Sequence, residues 1–256
     1  MKVLILAGGF GTRISEESHL RPKPMIEIGE MPILWHIMKY YSSYGYNDFI
    51  ILAGYKQYVI KEFFANYFLH HSDITFDLRN NRMEVHQSQN EPWKVTVVDT
   101  GLRTMTGGRV KRVEHYLDGE SFMLTYGDGV ADVDLAALRH YHASHGKIAT
   151  LTTVNLAQQK GVLDISPDGA VRAFREKEET DGAIINGGFM MFRPEIFQYL
   201  TDDTCILEQE PMHRLAADGE LMSFYHGGFW QCMDTQREKQ KLEELWASGR
   251  APWKKW

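Results

Sequence analysis

KVLILAGGFGTR, residues 2–13, joins a short aliphatic run to a loop that is rich in glycine. The run from Lys2 to Ala7 is typical of a buried parallel strand, because it is short, aliphatic and closed by glycines. Gly8, Gly9 and Gly11 let the backbone turn sharply and bring its N–H groups close to an anion, an approach that side chains would block. The pattern predicts a phosphate-binding loop at the end of a first strand.

Cationic side chains follow this loop along the chain. Thr12 can donate a hydrogen bond, and Arg13 adds a permanent charge with a planar donor fork that suits phosphate oxygens. Lys23 stands between Pro22 and Pro24, which stiffen the backbone around a second cation. A plain glycine turn beside solvated cations is the alternative, and the presence of both Arg13 and Lys23 argues against it.

Two positions disfavour a dinucleotide-binding fold. Gly9 and Gly11 begin a G-x-G-x-x-G pattern, but Ile14 stands where the third glycine belongs. The end of the second predicted strand, Ile50 to Gly54, offers no acidic residue for a ribose. The sequence therefore argues against an NAD oxidoreductase.

Strands and helices alternate along the rest of the chain. Pro32 opens a helix whose apolar residues share one face, and a second helix with the same spacing runs from Val59 to Phe68. This order predicts right-handed crossovers and a parallel sheet that is covered on both faces. Further strands are predicted at 49–53, 82–86, 95–99, 122–126, 149–154, 162–165, 171–174, 184–192 and 221–225, and further helices at 109–116, 135–145, 195–200, 208–217 and 236–247.

The bulk composition limits the partners of the chain. Its 256 residues carry a formal charge of -6, and this acidic balance disfavours binding to nucleic acid or to an anionic membrane. No apolar run approaches the ~18 residues that span a bilayer, and Gly8 and Gly9 end the first apolar run too early for a signal peptide. Cys205 and Cys232 form no metal or redox motif, so we expect a protein of the reducing cytoplasm.

Acidic residues follow the strand predicted at Phe122–Tyr126. Because open α/β sheets place their ligand crevice at the carboxyl ends of the strands, Asp128 is well placed to bind a hard divalent ion such as Mg²⁺. An ordinary Gly-Asp-Gly turn is the alternative. Asp134 is predicted to cap the next helix, and Asp132 is a weaker candidate ligand.

These motifs together resemble the nucleotide-sugar pyrophosphorylases. The signature is LAGGFGTR at residues 6–13, followed ten residues after Arg13 by the lysine of PKPM. Within that family, further segments are similar to the cytidylyltransferases that act on glucose 1-phosphate: PILWHIMK (32–39), the segment 54–70, VVDTG (97–101), MTGGR (105–109), YGDGVADVD (126–134) and FWQCMDT (229–235). The resemblance implies an α/β chain with a three-layer, Rossmann-like nucleotidyltransferase fold and a mixed, mostly parallel central sheet.

The resemblance also implies a reaction and an assembly. CTP and a sugar 1-phosphate, glucose 1-phosphate by this resemblance, would react to CDP-glucose and pyrophosphate with Mg²⁺ as cofactor, and the protein would be a homo-oligomer. One domain would span residues 1–256, with a nucleotide-binding part at about 1–130, an acceptor-binding part at about 131–235 and a helical tail at about 236–256. The product would serve the synthesis of CDP-linked deoxysugars for a bacterial surface polysaccharide.

Candidate site residues are carried over from the resemblance in three groups. The nucleotide-binding group is Leu6, Ala7, Gly8, Gly9, Phe10, Gly11, Thr12, Arg13, Lys23, Thr104 and Arg109. The metal ligands are Asp128 and Asp234, and the catalytic set is Arg13, Lys23 and Asp128. The acceptor group is Glu176, Lys177 and Asn186. A surface charge is the alternative for Arg109, and a solvated hairpin is the alternative for the segment 174–182.

The acceptor segment departs from the family pattern. The family usually reads Glu-Lys-Pro, whereas Glu178 follows Lys177 here, and Gln159-Lys160-Gly161 replaces the usual opening of the sugar loop. The acceptor therefore stays open. One alternative is the same mechanism with dTTP or UTP, or with another phosphorylated acceptor. The other is a catalytically inactive regulatory homologue that binds a nucleotide sugar.

Overall fold

A seven-stranded sheet runs through the centre of the molecule. The computed structural model describes residues 1–11, 14, 19–88, 90–156, 162–165, 171–175 and 183–256. The strands lie in the order β14 (Leu221–His226), β10 (Ala149–Leu156), β13 (Ala183–Phe192), β8 (Phe122–Tyr126), β1 (Val3–Ala7), β4 (Asp48–Ala53) and β7 (Lys94–Asp99). β13 is antiparallel to both of its neighbours, and the other adjacent strands are parallel. The sheet is therefore mixed and mostly parallel, as predicted.

Helices cover both faces of this sheet. They are α1 (Ile33–Ser42), α2 (Gln57–Ala65), α3 (Tyr67–His70), α4 (Thr106–Arg112), α5 (Leu135–His145), α6 (Glu210–Ala217) and α7 (Gln236–Ala247). Alternate residues of β1 point to opposite faces, so Val3 and Ile5 join one hydrophobic core and Leu4 joins the other. Side chains of α1, α2, α5 and α7 complete the first core, and side chains of α4 and α6 complete the second. The result is three layers.

Short antiparallel pairs lie outside the central sheet. They are β2 (Glu27–Ile28) with β3 (Met31–Pro32), β5 (Ser72–Asp77) with β6 (Arg82–Ser88), β9 (Gly129–Ala131) with β15 (Trp230–Cys232), and β11 (Val162–Ile165) with β12 (Val171–Arg175). The sequence pattern predicts neither β5 nor the strands of two or three residues. A strand that short cannot show a periodic alternation of apolar residues, which is the signal that predicts strands.

The sequence predicts a helix at 109–116, and both of these bounds are wrong. The helix in this region, α4, begins at Thr106 and ends at Arg112. Gly107 and Gly108 are unfavourable inside a helix, so the sequence predicts that no helix includes them. A Cβ on Gly107 would lie 2.6 Å from Cys205 Sγ, and one on Gly108 would lie 2.7 Å from the carbonyl oxygen of residue 202. The start of α4 thus packs so closely against the segment 202–205 that only glycine fits.

Two predicted helical segments are tighter turns. Glu114–Tyr116 and Pro194–Gln198 are 3-10 helices, in place of the end of the helix predicted at 109–116 and of the one predicted at 195–200. A 3-10 helix has three residues per turn and is short. Over a single turn, the spacing of apolar residues is the same for a 3-10 helix and an α-helix, so the sequence cannot distinguish the two. Among the helices of the described ranges, none is both long and apolar enough to cross a membrane.

Aromatic side chains pack the C-terminal tail against α1. The Trp253 side chain is fully buried, and its ring stacks on that of Trp246 with 6.4 Å between centroids. The imidazole of His36 lies 4.5 Å from the Trp246 ring, and its Nε2 donates a hydrogen bond to the Ile28 carbonyl at 2.8 Å. Burial lowers the pKa of His36 to about 4, so this histidine is neutral at pH 7.

Candidate active site

A cavity of about 390 Å³ opens at the carboxyl ends of β1 and β8. Its volume falls within the roughly 300–1,000 Å³ that is usual for small-molecule sites, and its position is the usual one in open α/β sheets. The lining residues are Leu6, Ala7, Gly8, Gly9, Phe10, Gly11, Lys23, Pro24, Leu102, Arg103, Thr104, Met105, Thr106, Arg109, Tyr126, Gly127, Asp128 and Asp234. The loop rich in glycine therefore shares one cavity with both predicted metal ligands.

Lys23 joins two carboxylates in this cavity. Its Nζ lies 2.5 Å from Asp128 Oδ2 and 2.5 Å from Asp234 Oδ1. The lysine side chain is 11% exposed, so its charge is largely removed from water. Burial lowers the pKa of Lys23, but the charges and hydrogen bonds of both aspartates outweigh that effect and raise the pKa above its ordinary value. Lys23 is therefore a buried ammonium ion at neutral pH.

The backbone brings Lys23 and Asp128 to this cavity. Pro22 holds an extended backbone immediately before a 3-10 turn over Lys23–Met25. Asp128 follows the end of β8, after Gly127, whose N–H donates to the Leu6 carbonyl at 2.9 Å. A Cβ on Gly127 would lie 2.9 Å from that same oxygen, so the close approach of the two strand ends requires glycine.

Asp234 reaches the same place from the other end of the chain. β15 pairs with β9, which begins directly after Asp128, and the Met233 N–H donates to the Asp128 carbonyl at 2.8 Å. A capping box then begins α7: the Thr235 hydroxyl accepts from the Glu238 N–H, and the Glu238 carboxylate accepts from the N–H groups of Asp234 and Thr235. The short pairing and the helix cap together hold Asp234 beside Asp128.

The donor set at this place fits a hard divalent cation. Two carboxylates from separate loops already share one cation, the Lys23 ammonium. Mg²⁺ is usually bound through one or two carboxylates, with phosphate oxygens and water as its remaining ligands. Asp128 and Asp234 could supply those carboxylates, and the cavity beside them leaves room for phosphate.

Neighbouring acidic and thiol groups have other partners. The Asp132 carboxylate accepts a hydrogen bond from the Phe229 N–H at 2.6 Å. Asp134 caps α5, as predicted, by accepting from the N–H groups of residues 136 and 137. Cys232 Sγ lies 3.5 Å from Asp234 Oδ2, but burial and the surrounding carboxylates raise the pKa of the thiol to about 12. Because metals bind the thiolate, this thiol is a poor ligand at neutral pH.

Arg109 is buried beside the glycine loop, and 5% of the residue is exposed. Its guanidinium donates to the carbonyl oxygens of Gly8, Ala53 and Gly101 and to the Thr100 hydroxyl, at 2.7–3.3 Å. These groups lie at or just beyond the ends of β1, β4 and β7, so one side chain ties three strand ends together. A Cβ on Gly8 would lie 2.2 Å from Arg109 Nη1, which explains a glycine there. Contact of Arg109 with a nucleotide stays a prediction.

The other predicted nucleotide-binding residues that the structure describes also line the cavity. They are Leu6, Ala7, Gly8, Gly9, Phe10, Gly11, Lys23 and Thr104. The side chain of Thr104 packs under the turn at Gly101, where φ is +91° and a Cβ would lie 2.6 Å from Thr104 Oγ1. Thr12 and Arg13 lie outside the described residues.

The acceptor group is described only at Asn186. This residue belongs to β13, and its Oδ1 accepts a hydrogen bond from the Gly188 N–H at 2.9 Å. Glu176, Lys177 and Glu178 lie outside the described residues, as does the segment 159–161.

A family model described as nucleotidyl transferase matches residues 2–219, from β1 to the end of α6. The chain belongs to the nucleotidyl transferase family. It is an enzyme of the nucleotidyltransferase class, and the α/β fold expected from the resemblance is confirmed.

Relatives of this nucleotidyltransferase match it over its full length. The glucose-1-phosphate cytidylyltransferase of Salmonella typhi is 58% identical, and the alignment covers 100% of both chains. The probable glucose-1-phosphate cytidylyltransferase of Bacillus subtilis is 44% identical, again over 100% of both chains. A solved structure of UDP-glucose pyrophosphorylase complexed with UDP-glucose has a TM-score of 0.69 at 15% identity, and covers 97% of this chain and 99% of that one. At that identity the likeness supports the fold alone.

The nucleotidyltransferase cavity also contains residues that are not among the predicted site residues. They are Pro24, Leu102, Arg103, Met105, Thr106, Tyr126 and Gly127. Tyr126 and Gly127 could have been found, because they precede Asp128 at the carboxyl end of β8, where ligand crevices form. Leu102 and Arg103 belong to no motif and carry no comparable signal.

Proposed function

We propose that this nucleotidyltransferase joins CTP to glucose 1-phosphate, forming CDP-glucose and releasing pyrophosphate, with Mg²⁺ as cofactor. The observation that supports the proposal most is the pair of aspartates around Lys23, in a cavity that the glycine loop also lines. Backbone donors and a cation for phosphates thus lie beside oxygen ligands for a divalent ion. The choice of CTP and glucose 1-phosphate rests on the names of the relatives from Salmonella typhi and Bacillus subtilis.

The reaction exchanges one phosphorus–oxygen bond for another. An oxygen of the sugar phosphate forms a bond to the α-phosphorus of CTP, and the bond from that phosphorus to the oxygen bridging to the β-phosphorus breaks. Pyrophosphate leaves with the electron pair of the broken bond. The sugar phosphate is already ionised near neutral pH, so no general base is required. Catalysis then depends on positioning and on neutralising charge.

Lys23 has two roles in this proposal. Its ammonium neutralises Asp128 and Asp234, which keeps two half-buried carboxylates close together. With CTP bound, the same ammonium would bind the triphosphate and balance the charge of the departing pyrophosphate. The aspartates would then hold Mg²⁺, which would supply positive charge to the phosphate oxygens.

The remaining predicted residues keep their roles as part of the proposal. The N–H groups of the glycine loop would bind the triphosphate, with the Thr12 hydroxyl and the Arg13 guanidinium. Lys177 would bind the phosphate of the acceptor, and Glu176 and Asn186 would bind hydroxyl groups of the sugar. Arg109 would support the nucleotide side of the cavity.

Pyrophosphate release tests this function. The purified chain would be assayed with Mg²⁺ and glucose 1-phosphate, and with CTP, UTP or dTTP as donor. We expect the highest rate with CTP, and a loss of at least about a hundredfold in Asp128→Asn, because a misplaced metal forfeits several kcal/mol of charge stabilisation. Asp73→Asn is the control, since Asp73 is an exposed aspartate on β5, outside the cavity.

The other possible results of this assay would each support a different donor, acceptor or function. A higher rate with UTP or dTTP would overturn the assignment of the donor, and a higher rate with another sugar 1-phosphate would overturn that of the acceptor. If no combination released pyrophosphate but calorimetry showed binding of CDP-glucose, the chain would be a regulatory homologue.

We also propose that the enzyme is a homo-oligomer that works in the cytoplasm. The β5–β6 hairpin lies outside the central sheet and carries exposed apolar side chains on both strands and its turn, including Phe76, Leu78 and Met83. Large exposed apolar groups gathered on one element are typical of protein interfaces. Cytoplasmic function is supported by the free thiols of Cys205 and Cys232. Light scattering after size-exclusion chromatography would give a single-chain mass if the assembly proposal is wrong.

A further inference from the structure

The side chain of Tyr126 has no role in the mechanism proposed above, although it lies at the centre of the site. Tyr126 ends β8 two residues before Asp128, and it lines the cavity. Its hydroxyl donates a hydrogen bond to Glu208 Oε1, and the second oxygen of that carboxylate accepts from the Thr106 hydroxyl at 2.6 Å. Thr106 is the first residue of α4 and also lines the cavity. Glu208 therefore anchors the phenol to the nucleotide side of the site.

The ring of the same residue reaches the acceptor side. The Asn186 side chain is tied to the next residues of β13, because its Oδ1 accepts the Gly188 N–H at 2.9 Å and its Nδ2 donates to Met190 Sδ at 3.8 Å. Burial, together with the charge of Glu208, raises the pKa of the phenol above its ordinary value, so the hydroxyl keeps its proton and donates it to Glu208.

The backbone of β13 is shaped to receive this ring. Gly188 has a φ of +81°, which side chains rarely adopt, and a Cβ there would lie 2.6 Å from Tyr126 Cδ2. Asn186 is two residues away on the same strand. The Tyr126 ring is thus packed against Gly188, the residue whose N–H the Asn186 side chain binds, so a shift of the ring would move that side chain with it.

We propose that Tyr126, held by Glu208, is a positioning residue for the acceptor: it sets the Asn186 amide so that the site binds a sugar 1-phosphate, without contributing to binding of the nucleotide. The inference rests on the proposed function in one respect, that the acceptor binds beside Asn186. Tyr126 acts through Asn186 and takes no part in bond making.

Steady-state kinetics of Tyr126→Phe test this role. The substitution removes one oxygen atom and keeps the ring that packs on Gly188. We expect the KM for the sugar 1-phosphate to rise about fivefold, the factor that one hydrogen bond of about 1 kcal/mol represents, while the KM for CTP changes by less than about twofold. Tyr199→Phe is the matched control, because Tyr199 donates to Asp218 Oδ2 at 2.8 Å and neither residue lines the cavity.

Variants of Glu208 separate positioning from packing. Glu208→Gln keeps an oxygen that accepts from the phenol, so its KM values should stay within about twofold of the unmodified enzyme. Glu208→Leu removes that acceptor and should resemble Tyr126→Phe. Equal KM changes for both substrates in Tyr126→Phe, or equal behaviour of the two Glu208 variants, would overturn the proposal.

Failure of the proposed function would be recognised separately. If the unmodified enzyme prefers another sugar phosphate, the same KM comparison is made with that acceptor. If it releases no pyrophosphate, calorimetry with CDP-glucose and with CTP replaces the kinetics: the inference requires that Tyr126→Phe weaken CDP-glucose and spare CTP, and it is wrong if both ligands bind as before or if both weaken equally.

Discussion

The cavity and the C-terminal aromatic cluster bury basic side chains in opposite ways. At the cavity, Lys23 is surrounded by carboxylates and Arg109 by backbone carbonyls, and both are charged. In the cluster, His36 lies among tryptophan rings, with backbone partners at Ile28 and Met31 and the Trp253 N–H on its Nδ1, and it is neutral. Burying a charge costs several kcal/mol unless partners offset it. Buried basic side chains are therefore charged at the cavity, where a polyanion would bind, and neutral in the aromatic cluster, where they only pack against other side chains.

Lys23→Met has the largest expected effect, and it acts on catalysis. Removing the cation that balances the departing pyrophosphate should lower kcat/KM about 10³-fold, roughly 4 kcal/mol of transition-state stabilisation. Pyrophosphate release under saturating Mg²⁺ measures it. Lys147→Met is the control, since Lys147 pairs with Glu220 at 3.1 Å and neither lines the cavity. A loss below tenfold would mean that the ion pair of Lys23 only stabilises the fold.

Arg109→Met sharpens the contrast between the two cations of the cavity. Three carbonyl groups and one hydroxyl lose a buried donor, so the free energy of unfolding should fall by about 3 kcal/mol. Arg112→Met, in the same helix, removes an exposed pair with Asp203 and should cost less than about 1 kcal/mol. Urea denaturation measures both. Unchanged stability with a sharply raised KM for CTP would instead assign Arg109 to the nucleotide.

Acid tests the aromatic cluster. The pKa of His36 is 6.5 in the unfolded chain and about 4 in the folded chain, so the unfolded chain binds a proton at a higher pH. Stability is therefore complete above pH 6.5 and should fall by about 3 kcal/mol as the pH drops to 4. His142, whose pKa burial also lowers to about 4, should add a loss of its own.

Denaturation curves between pH 7 and 4 would measure this loss. His36→Gln should remove the share that belongs to His36, and His140→Gln, on the exposed side of α5, should leave the pH dependence unchanged. A pH dependence that survives intact in His36→Gln would show that the imidazole is not held neutral by the cluster.

The sequence could predict the parts of the fold that repeat a pattern over many residues. The bounds of α5 match the prediction, because apolar spacing and the Asp134 cap both mark them. α4 does not match, since the need for Gly107 and Gly108 arises from contact with the segment 202–205, which is remote in sequence. In the same way, motifs name Asp128 and Asp234, but the β9–β15 pairing and the cap of α7 explain how they meet.

Site residues were predictable where chemistry and motif coincide. Lys23 and the glycine loop carry their phosphate chemistry in their side chains and backbone, so local sequence is enough to find them. The link from Thr106 through Glu208 to Tyr126 was not found, because it joins three separate segments through hydrogen bonds. Spacing along one chain contains no information on such contacts.

The smallest expected effects come from two neighbouring glycines, and they separate the fold from the site within a single loop. A Cβ on Gly8 would overlap the Arg109 guanidinium, so Gly8→Ala should lower the free energy of unfolding by about 2 kcal/mol. A Cβ on Gly9 meets no described atom within 4 Å, so Gly9→Ala should leave stability within about 0.5 kcal/mol.

Gly9 nevertheless lines the cavity, and a methyl group there would enter the space proposed for phosphate. Gly9→Ala should therefore raise the KM for CTP about tenfold, or roughly 1.4 kcal/mol, although the fold is intact. Urea denaturation and steady-state kinetics on both variants give the comparison. If Gly9→Ala bound CTP normally, the phosphates would have to approach the loop elsewhere, and Gly8, whose carbonyl accepts from Arg109, would be glycine for the fold alone.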